Sequence, residues 1–132
     1  MSSFYTLLTI TNNFPVDLTD GTATIKTGTL VGRIPETIEP EKKTTQIRIN
    51  ATNADDGSSG HLTYAVVIGG RERHISFVFK CDNSSSNQAK INSEWADLFE
   101  ASVSAFNLGD HPLVVDYKVS AAARRSEHDT AE

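Results

Sequence analysis

A chain of 132 residues with 38% hydrophobic content has the size of one domain and can bury about two-thirds of its unfolded surface, which excludes disorder throughout. The formal charge of −5 excludes a general nucleic-acid binder, which needs a basic face to displace counterions from phosphates. That charge gives no help towards strongly anionic membranes and leaves a neutral lipid headgroup open. With one cysteine, Cys81, no intramolecular disulfide forms and the fold rests on its core alone. The opening MSSFYTLLTITNNF lacks a basic segment followed by a long apolar run, and nowhere do apolar residues approach the ~20 of a membrane-spanning helix. The expectation is a protein made in the cytosol without a classical signal peptide, and released if it acts at a target membrane. In that setting the glycosylation patterns at Asn50 and Asn83 are chance matches.

In chain order, Phe4 to Ile10 is a strand, rich in aromatic and β-branched residues, stopped by Asn12-Asn13-Phe14-Pro15. A weaker strand over Val16 to Leu18 ends at Asp20-Gly21, a favoured hairpin dipeptide. Thr22 to Val31 is extended, with Gly28 a candidate bulge. Residues 33 to 43, with two prolines and six charged side chains, read as a loop or edge segment. Thr44 to Asn50 alternates again, followed by the polar run ATNADDGSSG.

Residues 61 to 81 carry the sharpest signal. Two alternating stretches flank Gly69-Gly70, and a two-residue turn there sets Ile68 against Arg71, Val66 against Arg73, Tyr64 against Ile75 and Leu62 against Phe77. Burying the shared apolar face contributes on the order of 10 kcal/mol before entropy. The segment DNSSSNQAK after Cys81 reads as a polar loop. Asn92 to Phe106 is ambiguous, with helical spacing of Trp95, Leu98 and Phe99 giving way to strand alternation; a short turn near Trp95 and then a strand is the better fit. Pro112 to Ser120 is a final strand, and the tail AAARRSEHDTAE has no apolar face, so disorder is expected there. The pattern is all-β: an antiparallel β-sandwich of about seven or eight strands over residues 1–120, with a tail over 121–132.

No constellation demands catalysis. His61, His74, His111 and His128 are too far apart in sequence to form a local metal-ligand pair. No strained G-x-S-x-G turn supports a serine triad, and no glycine-rich loop followed by lysine is present. Asp55-Asp56-Gly57 does not reproduce the ligand alternation of a calcium loop. Cys81, at the end of an apolar strand, reads as a buried, inert thiol. No enzyme, cofactor or metal is expected.

The order of signals is nevertheless distinctive. A first strand leads into Asn12-Asn13; Gly32 precedes a proline-interrupted loop with Ile38; then come Asp56 to Tyr64, the Gly-Gly hairpin, an aromatic strand ending near a cysteine, a Ser/Asn-rich loop and Val114 to Val119. This resembles the aegerolysins, small acidic β-sandwich proteins of fungi and bacteria that include the small component of binary insecticidal toxins. Ser58-Ser59-Gly60 stands where that family has a Ser/Thr-Gly-Thr-x-Gly turn. The resemblance could span residues 5 to 120. It implies a cytolysin-like, haemolysis-competent protein that recognises sphingolipid or sterol-containing membranes and permeabilises them with a second, larger protein. One departure stands out. Aegerolysins usually carry several tryptophans, one beside the cysteine, whereas here Phe79-Lys80-Cys81-Asp82 has none and Trp95 is alone.

The leading expectation is therefore a non-enzymatic lipid-binding module. Its candidate contact residues are Phe14, Tyr64, Arg71, Arg73, Lys80, Trp95 and Tyr117. A core role accounts for each aromatic at least as well, and a solvated face accounts better for each basic residue. Arg71 and Arg73 are the strongest, since a guanidinium near the hairpin tip can grip a phosphate. The alternatives are a lectin using the loops ADDGSSG and DNSSSNQ, and an oligomeric assembly protein pairing through exposed sheet edges.

Overall fold

The structure is a computed structural model and describes residues 4–53, 55–82, 87–93, 99–105 and 112–121. Strands β6 (Ser58–Ile68) and β7 (Arg71–Cys81) form the hairpin that the alternation predicts, in the same register from Ile68 opposite Arg71 to Leu62 opposite Phe77. Gly69 and Gly70 take φ of 63° and 77°, the left-handed values that a tight turn between twisted strands requires. Leu62, Tyr64, Val66, Ile75, Phe77 and Phe79 are all buried. β2 (Thr19–Thr27) and β8 (Gln88–Ser93) flank the hairpin, giving a four-stranded sheet in the order β2-β6-β7-β8.

The second sheet takes its strands from everywhere else in the chain. β3 (Thr29–Val31), β5 (Ile47–Asn50), β1 (Thr6–Asn12), β10 (Leu113–Ala121) and β9 (Phe99–Ala105) lie in that order, and β4 (Lys42–Lys43) also pairs with β1. The β1–β10 pairing is parallel and the remaining ones are antiparallel. The two sheets form a β-sandwich, and their inner faces meet in one core. Leu8, Ile10, Ile49, Leu113, Val115 and Tyr117 face the hairpin's apolar side. The Tyr117 ring packs edge-on against Phe77 at 5.3 Å between centroids, and its hydroxyl donates to the Val78 carbonyl at 2.5 Å. Each sheet is thus tied to the other by packing and by a hydrogen bond in the same residue.

Several local expectations change. Asp20-Gly21 is not a hairpin turn; β2 runs through it with a register shift between Thr19 and Thr22, and Asp20 takes a φ of 55°. That bulge lets Gly21 N–H donate to the Glu36 carbonyl at 3.0 Å, anchoring the loop 33–41 over the end of the core. Of the weak strand over Val16 to Leu18, only Leu18 pairs, in an isolated bridge with Ile38. Residues 88 to 90, expected in a loop, belong to β8: Ala89 and Ile91 pack against the core while Gln88, Lys90 and Asn92 face out, an edge pattern too polar to read as a strand. Ten strands are present among the described residues, the short β3 and β4 adding to the expected number. The strand expected after Trp95 is β9. The helical turn at Trp95 lies outside the described residues, as does the tail apart from Ala121, which closes β10.

Candidate functional site

Three of the four aromatic candidates lie inside. Phe14, Tyr64 and Tyr117 are fully buried, and the Tyr64 hydroxyl donates to the Pro35 carbonyl at 2.6 Å. Burial pushes both tyrosine hydroxyls well above the ordinary phenol range, so they stay protonated hydrogen-bond donors of the core. None of the three offers a surface to a ligand. Of the two arginines at the hairpin tip, Arg71 is exposed, whereas Arg73 shares the inner phase of Ile75 and Phe77 and is only 7% exposed. The two thus differ in access, Arg71 open to solvent and Arg73 packed beneath the tip. Trp95 lies outside the described residues. Among the described candidates, Lys80 lies in a groove on the sheet face.

That surface is the outer face of the four-stranded sheet. Alternation sends Phe77, Phe79 and Cys81 inward, so Val78 and Lys80 point the other way. Register then lines up Thr24, His61, Val78 and Lys90 across four strands, and Ser59, Lys80 and Gln88 in the next row. Lys26 stands at the irregularity between Ile25 and Thr27 and lines the same shallow groove, of about 470 Å³. Three lysines and a histidine drawn from all four strands thus meet on one face of an acidic chain. No acid lines the groove among the described residues; the Asp82 carboxylate beside it lies 3.7 Å from Lys80 Nζ. By formal charge among the described residues, with histidine not counted, the three lysines less that carboxylate leave two positive charges uncompensated. Val78 supplies an apolar floor, and Ser59, whose hydroxyl hydrogen-bonds Thr27 Oγ1 at 2.7 Å, closes one end.

A larger hollow, of about 590 Å³, lies along the loop 33–45. Arg33, Glu39, Lys42 and Lys43 line it, and Lys43 contacts Asp116 at 3.4 Å, a carboxylate whose other oxygen accepts from the Thr9 hydroxyl. Lys26, Ser59, His61, Gln88 and Lys90 were missed from the sequence. Their polar phase was legible strand by strand, but nothing local tells that β2 and β8 flank the hairpin.

Chemistry elsewhere is quiet. Cys81 is fully buried, and burial pushes its thiol up to about 11, with the Asp82 charge adding and a backbone hydrogen bond from Leu113 opposing. Among the described residues no group of His, Cys, Asp or Glu is placed to hold a metal ion.

No family model matches the sequence, and no curated protein matches it. Solved structures do share its architecture. The lipid binding protein Nakanori superposes with a TM-score of 0.69 at 14% identity, over 88% of this chain and 70% of its own. IP-1A from Alcaligenes faecalis gives a TM-score of 0.63 at 14% identity, over 90% of this chain and 91% of its own. The RahU protein, in complex with a TRIS molecule, gives 0.64 at 12% identity, over 93% and 98%. The fold is that shared by these three proteins, over nearly the whole chain.

Proposed function

We propose that this chain is a non-enzymatic, aegerolysin-like module that recognises membrane lipid through the outer face of its four-stranded sheet. The observation that carries the reading is the convergence of Lys26, His61, Lys80 and Lys90 on a concave face of a chain whose net charge is −5. A likeness of fold to a lipid binding protein supports it. The groove offers ammonium, hydroxyl and amide donors, which hold an anionic group. Ser59 Oγ is engaged by Thr27, which supports a binding role over a nucleophilic one.

In the fuller form of this reading the chain is the targeting component of a pore-forming or insecticidal pair, docking on the membrane and delivering a larger protein. The sequence resemblance to aegerolysins supports that step. Vesicle flotation tests both levels. The chain is expected to float with vesicles of at least one lipid composition and, alone, to release no trapped dye from them. Flotation with no lipid mixture, together with binding on a glycan array, contradicts the lipid reading; dye release by the chain alone contradicts the two-component form.

A further inference from the structure

The groove also says which kind of headgroup it suits. A quaternary ammonium is held on aromatic faces. Among the described residues lining the groove, Phe79 is the only Phe, Tyr or Trp, and it is 1% exposed, turned into the core. A headgroup amine is held by a carboxylate, and the groove's described lining includes none. Among the described residues, then, neither kind of cationic headgroup end, quaternary ammonium or primary amine, finds its usual partner in the groove.

The phosphate end does. Lysine is a compact point-charge donor, and Lys26, Lys80 and Lys90 reach the groove from three different strands, with the Thr24 hydroxyl and Gln88 amide between them. A phosphomonoester carries roughly −1.5 to −2 charges near neutral pH. That matches the two uncompensated positive charges of the groove. The diester phosphate of a zwitterionic lipid carries a single charge already balanced by its own cation. The chain's net negative charge does not forbid the match, because charges beyond a Debye length of about 8 Å are largely screened at physiological salt.

Resting on the lipid-binding reading above, we infer that the groove takes the phosphomonoester headgroup of an anionic phospholipid at a bilayer surface, in preference to zwitterionic phosphocholine lipids.

Co-sedimentation tests this with the full chain and four vesicle types: phosphatidylcholine alone, phosphatidylcholine with phosphatidic acid, phosphatidylcholine with phosphatidylserine at equal surface charge, and sphingomyelin with cholesterol. Binding is expected to be strongest to the phosphatidic acid vesicles and to weaken with added salt. Lys26→Gln and Lys90→Gln, both at exposed positions, should each weaken it about five-fold, the worth of one lysine near an anionic surface. Lys118→Gln, exposed on the other sheet, should leave it unchanged. Circular dichroism melts of each variant separate lost binding from lost fold. Equal binding to phosphatidylserine vesicles overturns the phosphomonoester preference. Binding to sphingomyelin–cholesterol vesicles that ignores both lysine variants overturns the groove as the headgroup site while leaving lipid recognition standing. Binding to no vesicle overturns both. Soluble glycerol phosphate binding as tightly as the vesicles overturns the bilayer as the source of the ligand.

Discussion

Asn12 shows how one polar side chain inside the sandwich organises a corner of it. It is fully buried, yet both N–H donors and the oxygen of its amide bond to the backbone. Nδ2 donates to the Val16 and Ile38 carbonyls at 3.0 and 2.8 Å, and Oδ1 accepts from the Phe14 N–H at 2.9 Å. The turn after β1 and the loop 33–41 are thereby fastened to the same residue. Asn12→Ala leaves these three backbone groups without that partner in a dry site, so a loss of about 3 kcal/mol or more is expected in urea unfolding. Cys81 is the other buried residue with a measurable signature. Its thiol is raised from an ordinary 9.0 to about 11, so between those values the unfolded chain gives up a proton that the folded chain keeps. Stability is therefore constant below 9.0 and falls as pH rises towards 11, by on the order of 2 kcal/mol from this group. Tyr64 and Tyr117 act in the same direction from the ordinary phenol value of 10.0 upward, so they add to the fall near pH 11. Unfolding free energies measured below 9.0 and near 11 should show the drop, and Cys81→Ala should reduce it.

Between residues and the whole stand the strands, and the junction that matters most to the groove is where β6 begins beside the end of β7. Gly57 has a φ of 62°, and a Cβ there would run into the Cys81 carbonyl and meet Asp82 Cα at 2.7 Å. Gly57→Ala therefore forces backbone apart beside the Ser58–Cys81 pair, next to the row that holds Ser59 and Lys80. A loss of about 2 kcal/mol is expected from conformational strain alone, with a lower melting temperature as the readout. This scale also separates what the sequence discloses from what it does not. The β6–β7 hairpin was legible to the residue, because strict alternation on both sides of Gly69-Gly70 permits a single register with one buried face. Asp20-Gly21 misled because its turn chemistry serves a bulge, fixed by a carbonyl of the distant residue Glu36. β8 was hidden because only Ala89 and Ile91 of its six residues pack inward. With β8 unseen, Lys90 could not be placed beside Val78, and half of the groove was invisible.

At the scale of the molecule, the chain crosses repeatedly between two sheets, and the parallel pairing of β1 with β10 joins the first and last strands. Tertiary pairing of this kind is what gathers Lys26, Lys80 and Lys90 onto one face; along the sequence they are spread among acidic and neutral neighbours. Net charge is a property of the chain, whereas binding depends on the local field, and the two point in opposite directions here. Of the aromatic residues on which a lipid contact was first expected, Phe14, Tyr64 and Tyr117 are spent on the core, the two tyrosines in a chain of edge contacts through Phe77. The proposed recognition therefore falls to the charged sheet face. Lysine acetylation footprinting, read by mass spectrometry with and without phosphatidic acid vesicles, tests that most directly. Lys26, Lys80 and Lys90 should lose reactivity when vesicles are present while the exposed Lys42, Lys43 and Lys118 keep theirs. Protection of Lys42, Lys43 or Lys118 with the groove lysines still reactive would show that the membrane meets a different face.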